Sequence, residues 1–454
     1  MSRWRHWVLL LVTTVGLAGT LFMAQVILAH HTPRLDLTPE KRYTLSDHAR
    51  KVLDSLEHDV QIIAFLRSDD ARNSEIEDLL ARVANVSRRV HYSVVDVNRN
   101  PAVARQYGVE NYGSLVVESD GHRKDFTNPR EDLLMEAILQ VTRPTRKIIY
   151  VLNGHGEQDI ENTDRHHGYS AVRVALQSEF YEVRLLNLLG EEDVPADATA
   201  LIIAGPRKDL LTAELMKLNA YVGRGGDLLV LVDPGTAPGL TAFLDRYGVK
   251  LSDDVVVDPE NRLFAGDYLT MTIPGLSERH PVSAVLKAPP LFSQARSVVF
   301  AGPPDTRIKG IEFLHSAASS WSTTDLDVLR TGIADFQKGR DRPGPVPVGV
   351  SVLVETGGSE KAMARFIVLG DSDFANNFFI EYLGDKDLLV NAVNWLAGQE
   401  ELVGERPQLR QPGVNQFFVS ARQGRLAFTL GTIVEPLLML LIGTAVFLRR
   451  RWTG

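Results

Sequence analysis

The sequence predicts an α/β protein with two successive sheet-containing units between hydrophobic ends. Three observations carry this. Short apolar, β-branched runs alternate with stretches in helical register from residue 46 to residue 396. Two of those runs, Ile148 to Leu152 and Leu228 to Val232, are continuously apolar, as strands covered on both faces are. Apolar segments long enough to cross a roughly 30 Å hydrocarbon core lie near both termini.

Composition narrows the function classes. At 454 residues the chain exceeds one ordinary core, and 44% hydrophobic with 23% charged residues is globular. A net charge of −8 disfavours nucleic-acid partners. With no cysteine, disulfides, thiolate zinc sites, CxxC redox chemistry and a cysteine nucleophile are excluded.

Val8 to Ala29 is apolar apart from Gln25, with Arg3, Trp4, Arg5 and Trp7 ahead of it. Residues 1–29 read as an uncleaved anchor, since a signal peptide has a shorter apolar stretch and a small-x-small cleavage site. Leu426 to Leu448, closed by Arg449, Arg450 and Arg451, reads as a second span. Basic flanks on both spans place the termini in the cytoplasm and residues 30–425 outside it. The expectation is a two-span protein of a bacterial inner membrane, its bulk periplasmic. Glu435-Pro436 stands midway along the second span. An ionised carboxylate there costs roughly 2–4 kcal/mol. Glu435 is therefore either protonated in a kinked helix or turned toward a partner's transmembrane helix.

Two prolines make residues 32–45 an extended lead-in. Ser46 is placed as an N-cap, with Asp47 in the first turn and Val52, Leu53 and Leu56 as the apolar face. Val60 to Leu66 reads as a strand, and Ala71 to Val86 as a helix with Ile76, Leu79, Leu80 and Val83 in register. Val90 to Val97 is a strand and Asn100 to Tyr107 a short helix. Ser114 to Glu118 and His122 to Phe126 pair across an Asp120-Gly121 turn, and Arg130 to Thr142 closes the unit. The order β-α-β-α-β-β-α, with the stretch Val95 to Val109, resembles a thioredoxin-like domain over residues 32–145. The CxxC pair is absent, and Tyr112-Gly113 stands where that family carries a cis-proline. Without thiols the unit cannot exchange disulfides, so it reads as a binding or spacer module.

A second unit spans residues 146–402. After Ile148 to Leu152 come a helix from Tyr169 to Tyr181, strands Val183 to Leu186 and Ala200 to Ala204, and a helix from Thr212, read as its cap, to Val222. Leu228 to Val232 is a strand, followed by helix 238–247 and strand 255–257. This alternation predicts a parallel, doubly wound sheet. Residues 259–345, punctuated by prolines and glycines, read as an insertion or a mixed edge. Val348 to Val354 and Phe366 to Leu369 resume the strands, Asp387 to Leu396 is the last helix, and residues 403–425 are a linker.

In an open parallel sheet, ligands sit beyond the carboxyl ends of the strands. Asn153, His155 and Glu157 follow one strand, Asp233 another, Asp371 and Asp373 a third. If those strands are neighbours, the six residues share one rim, and they are the candidate ligand-binding groups. A His–Glu pair can also serve as base and orienter. That gives the alternative of a membrane-tethered hydrolase built on His155 and Glu157. The structural account of the same residues is turn and cap chemistry. Gly370-Asp371-Ser372 resembles the nucleophile block of SGNH-type esterases, but no histidine follows His315 to act as base, and the block comes late in the domain. His166-His167 with Asp164 is the alternative metal cluster, without His-x-x-x-His spacing. No catalytic residue, metal or cofactor is expected.

Taken together, several motifs resemble the auxiliary components of ABC-type transport systems associated with gliding motility, the GldG-like family. They are Asp36-Leu37-Thr38 with Tyr43-Thr44-Leu45-Ser46, Gly154-His155-Gly156-Glu157, and Arg224-Gly225-Gly226-Asp227 running into Leu231-Val232-Asp233-Pro234. Gly370-Asp371-Ser372-Asp373-Phe374 and Asn391-Ala392-Val393-Asn394-Trp395-Leu396 complete the set. The resemblance covers nearly the whole chain. It implies a non-catalytic subunit working with a separate ATPase and an ABC permease, and binding an extracytoplasmic ligand. It also implies that the second unit is a GIFT- or flavodoxin-like sheet of the kind shared with intraflagellar transport proteins. The family assigns no catalytic residues.

Overall fold

The computed structural model describes residues 23, 44–67, 73–109, 113–143, 146–235, 237–263, 267–303, 305–325, 327–331, 335–356, 363–404, 426 and 428–452. The first expected span, apart from Met23, and most of the expected linker lie outside these. The described residues from Ser46 onward belong to one compact unit.

The amino-terminal module runs α1 (Asp47–Asp54), β1 (Val60–Leu66), α2 (Asn73–Val86), β2 (Val90–Asp96), α3 (Pro101–Gln106), β3 (Ser114–Ser119), β4 (His122–Thr127) and α4 (Glu131–Thr142). Its sheet has the order β2-β1-β3-β4, with β1 and β2 parallel and the other pairs antiparallel. This is the thioredoxin-like arrangement the sequence implied. Ser46 Oγ accepts the Ala49 amide at 3.1 Å and caps α1. Asp120 and Gly121, at φ 47° and 81°, form the left-handed turn of the β3–β4 hairpin.

The second unit continues with β5 (Ile148–Leu152), α5 (Ser170–Ser178), β6 (Glu182–Leu186), β7 (Ala198–Ala204), α6 (Thr212–Gly223), β8 (Leu228–Leu231), α7 (Pro238–Asp245), β9 (Val249–Leu251) and β10 (Val255–Val257). Then come β11 (Thr270–Thr272), β12 (Gly275–Leu276), α8 (Pro281–Ala284), β13 (Leu291–Ser293), β14 (Val298–Phe300), β15 (Ile308–His315), β16 (Trp321–Thr323), α9 (Val328–Thr331) and β17 (Arg342–Pro343). β18 (Pro347–Glu355), β19 (Met363–Leu369) and α10 (Asp385–Leu396) complete it. Its main sheet has the order β12-β15-β18-β19-β8-β7-β5-β6. From β19 to β6 all neighbours are parallel, while β12, β15 and β18 add an antiparallel edge. The parallel half follows from crossover helices. β18 ends at Glu355 and β19 begins at Met363, too short a connection for a parallel crossover, so they return antiparallel. Strand 255–257 likewise does not join the main sheet. No helix separates β9 from β10, and β10 pairs instead with β16 in a small separate sheet.

Both faces of the main sheet are covered. Ile149 and Val151 pack with Val172, Leu176, Leu388 and Val393. The alternate residues Tyr150 and Leu152 pack with Leu218, Tyr221, Leu240 and Phe243 on the other side. This double winding explains why β5 reads as a continuous apolar run.

The carboxyl-terminal segment is helical where described. A π-turn at Leu430–Val434 precedes α11 (Glu435–Trp452). Pro436 has no amide to donate and its ring crowds the preceding turn, which the wider π-turn relieves. Among the described residues no helix is long and apolar enough to cross a membrane.

Candidate strand-end site

Strands β5, β7, β8 and β19 are successive neighbours, so their carboxyl ends form one continuous rim. The six residues singled out in the sequence divide there between two hydrogen-bonded clusters and one outlier.

The first cluster is a histidine clamped between two carboxylates. His155 Nδ1 lies 2.9 Å from Glu157 Oε1, and Nε2 lies 2.9 Å from Glu214 Oε2. The three side chains are almost fully buried, at 6%, 1% and 0% exposure. Glu157 Oε2 also accepts the His155 amide at 2.7 Å, and the His155 carbonyl accepts the amides of Arg207 and Lys208 at 2.9 Å each. Both ring nitrogens face acceptors. Each ring nitrogen is thus engaged by a carboxylate oxygen and the ring is buried, so neither is free to take a substrate proton.

Glu214 was not singled out in the sequence. Its second role is at the start of α6, where it accepts the Leu211 amide at 2.8 Å. The N-cap is therefore Leu211 and not Thr212, and the cap is closed by Glu214 reaching back from N3. The offset of three residues to an acidic side chain was the available signal. Its second target, a histidine 59 residues upstream, leaves no local trace.

The second cluster joins β8 and β19. Asp233 accepts the Ser372 amide through Oδ1 and the Ser372 hydroxyl through Oδ2, both at 2.7 Å. Gln158 Nε2 donates to Ser372 Oγ and Asp373 Oδ1 at 3.3 Å each, and Tyr169 donates its hydroxyl to the Ser372 carbonyl. Asp371 accepts the amides of Ser293 at 2.7 Å and Asp373 at 2.8 Å. The Ser372 hydroxyl thus already donates to a carboxylate, and among the described residues no histidine is hydrogen-bonded to it. Gly370 has a different reason from a nucleophile turn: a Cβ there would lie 2.1 Å from the Arg296 carbonyl oxygen. Gly205, at φ 60°, is similarly required, since a Cβ would meet Ser372 Oγ at 2.5 Å.

Burial raises the proton affinity of all three carboxyls. It lifts Asp371 well above the ordinary range, reinforced by the charges of Asp373 and Asp233. It lifts Asp373 to about 6, with Asp233 adding to the effect and Arg207 opposing it. Asp233 is raised by burial despite its bonds from Ser372. Arg296, which sequence reasoning also passed over, supports this cluster from the insertion. Its guanidinium donates to the carbonyls of Asp233 and Ser252, each at 3.0 Å.

Asn153 is the outlier. Its amide donates to the Leu186 carbonyl at 2.9 Å, and its side-chain oxygen is buried without a hydrogen-bond partner. Asp164 accepts the amides of His166 and His167 and holds a loop; the His167 amide first, then that of His166, lowers its proton affinity. Among the described residues no group of three or more His, Asp or Glu is arranged to hold a metal ion.

Residues 146–392 match the family described as an ABC-type uncharacterized transport system, and residues 39–127 match a domain of unknown function, DUF7088. No curated protein matches. Among solved structures, the chain is similar to the mmIFT52 N-terminal domain at 15% identity, covering 55% of this chain and 96% of that one with a TM-score of 0.39. A ThuA-like protein from Bacteroides uniformis ATCC 8492 is similar at 13% identity, over 55% and 91% of the two chains with a TM-score of 0.33. A thioredoxin from Halobacterium salinarum NRC-1 is similar at 22% identity, over 20% and 80% with a TM-score of 0.17.

Proposed function

The chain belongs to the ABC-type uncharacterized transport system auxiliary family, which matches more than half of it, and on that premise we propose that it is a membrane-anchored, non-catalytic subunit. Its α/β domains bind a polymer, peptide or protein outside the cytoplasm, and its partners are an ABC permease and a separate ATPase. The order and spacing of its motifs favour the gliding-motility-associated, GldG-like branch.

One observation supports the non-catalytic reading above the rest. The rim's most suggestive groups are occupied by one another: both His155 nitrogens face carboxylates, and the Ser372 hydroxyl donates to Asp233. Hydrolysis needs a base with a free lone pair or a nucleophile poised beside one. Membrane anchoring is supported by the helix after residue 427. Phe428, Leu430, Leu438, Leu440 and Leu441 are each at least half exposed, on several sides of it. Such a surface suits lipid or another membrane helix.

The test is affinity purification of the tagged full chain from detergent-solubilised membranes. An ATPase and a multi-span permease are expected to co-purify. A purified protein that turns over ester, amide or glycoside substrates, with the activity abolished by His155→Ala, would reverse the assignment in favour of a tethered hydrolase.

A further inference from the structure

Beside the rim stands an aromatic and cationic platform that the clusters above do not use. Phe378, Phe379 and Tyr382 follow β19 and touch one another, with ring centroids 4.8, 5.3 and 6.1 Å apart. The His166 ring lies 4.8 Å from that of Phe378, and the Arg165 guanidinium carbon 4.9 Å from the same centroid. Arg165 and His166 are exposed, and the three rings are half-buried.

Two asparagines hold the halves of this platform together. Asn376 donates through Nδ2 to the His166 carbonyl at 3.1 Å, while its Oδ1 accepts the amides of Phe378 and Phe379 at 2.9 Å each. Asn377 Nδ2 donates to the carbonyls of Asn162 and Asp164 at 3.2 and 2.7 Å, and its Oδ1 accepts the Ala171 amide at 2.8 Å. A Cβ on Gly168 would lie 2.2 Å from the Asn162 carbonyl oxygen, so the loop closes tightly on these residues. Groups fixed in this way lose little freedom on binding.

The acids and the cations around the platform are not equally paired. Its exposed acids are already engaged: Asp164 by the amides of its own loop, Glu161 by Arg173 at 3.6 Å, and Glu381 by Lys386 at 3.2 Å. Arg165 on the platform, and Arg207 and Lys208 at the end of β7, are exposed and make no ion pair among the described residues. A Cβ on Gly205 would lie 2.5 Å from Ser372 Oγ, so the end of β7 runs beside the end of β19 that leads into the platform. On a chain of net charge −8, this face presents three exposed cations outside any described ion pair, beside stacked rings.

We propose that the platform docks an acidic peptide segment of a partner protein. Its carboxylates meet Arg165, Arg207 and Lys208, and an apolar or aromatic side chain stacks on Phe378. Arginine beside aromatic rings is the composition of interface hot spots, and complementary charge sets partner and encounter rate. The proposal rests on the reading of this chain as a binding subunit and names the class of ligand its rim takes.

The test uses the full chain in detergent and fluorescence anisotropy with short labelled peptides of glutamate, leucine and phenylalanine. A counterpart carrying lysine for glutamate is the charge control. Saturable binding of the acidic peptide alone is expected. Arg165→Glu and Phe378→Ala should each weaken it roughly thirtyfold, the loss of one hot-spot contact. Lys309→Ala, at an exposed position on β15, should leave it unchanged. Arg165 is exposed, so its variant keeps the test valid if Phe378→Ala unfolds. Equal binding of both peptides, or binding indifferent to Arg165→Glu, overturns the proposal. Displacement by dihexanoyl phosphatidylglycerol at lower concentration than by unlabelled peptide also overturns it, and assigns the face to an anionic membrane. Co-purification with the ATPase and permease is read separately. A wild-type chain that binds the acidic peptide but never co-purifies sinks the transport assignment while the platform stands.

Discussion

Replacing Asp373 by asparagine is expected to stabilise the sheet domain, and to do so only above about pH 4. The folded carboxyl is raised from 3.8 to about 6, first by burial and then by Asp233. Folding therefore takes up a proton between those values. The stability tied to this group is complete below the unfolded value and is lost as pH climbs through the folded one. Two units of displacement correspond to a ceiling of about 3 kcal/mol above that window. Asparagine keeps an oxygen to accept from Gln158, which donates at 3.3 Å in the wild type. It also removes a charge that, after burial, raises the proton affinity of Asp371. A gain of roughly 1–3 kcal/mol near pH 8, shrinking to nothing near pH 4, is expected. Urea unfolding of the full chain, followed by tryptophan fluorescence across that range, measures it. A variant less stable than wild type near pH 8, or a difference that ignores pH, would refute the reasoning. Attraction to Arg207 would then outweigh burial.

Other outcomes follow from the same geometry. His155→Ala leaves Glu157 and Glu214 buried against each other without their shared donor, and a loss of about 3–5 kcal/mol is expected by thermal or urea unfolding. Adding Glu214→Gln should recover part of it. Gly370→Ala sets a methyl group against the Arg296 backbone and should cost about 1–3 kcal/mol. Gly235→Ala, at φ 73° with nothing within 4 Å, should cost only left-handed strain, about 1 kcal/mol. Equal costs at the two glycines would argue against close approach as the reason for Gly370. Glu435→Leu is expected to weaken co-purification with membrane partners while leaving the unfolding transition of the sheet domain in place; unchanged recovery of partners rules out a polar contact there.

Much of the fold was legible because its signals are local. The alternation of buried runs and helical registers located β1, β2, β5, β7, β8 and β19 and the helices between them. Asp120-Gly121 announced a hairpin through the one turn type its φ values allow. Where the reading failed, the deciding partner was remote. The antiparallel edge falls largely in the stretch read as an insertion or mixed edge, but its order depends on what β18 and β15 meet across the sheet, and β10 pairs with β16, 64 residues away by the register of Val257 with Trp321. The strand-end residues do lie along neighbouring strands, because strand-end polar groups are visible in sequence. Their mutual contacts are not. Gly370-Asp371-Ser372 carries the letters of a nucleophile block, yet the glycine answers to Arg296, the aspartate to Ser293 and the serine to Asp233. None of these contacts has a sequence spacing that a motif could encode.

The buried network and the exposed platform are continuous in the chain, which gives the inward-facing acids a purpose without chemistry. Asp371 and Asp373 fix the end of β19, a single 3-10 turn from Asp373 to Ala375 follows, and Asn376 and Asn377 then place Phe378 against His166. A saturated set of hydrogen bonds is stiff, because any one displacement leaves a buried polar group unpaired at a cost of about 1–3 kcal/mol. Stiffness there is transmitted to the rings within a few residues. Asp371→Ala, which frees the amides of Ser293 and Asp373, should therefore weaken binding of the acidic peptide although Asp371 is fully buried and touches no ligand. A folded Asp371→Ala protein with wild-type peptide affinity would show that the platform holds itself, through its asparagines alone.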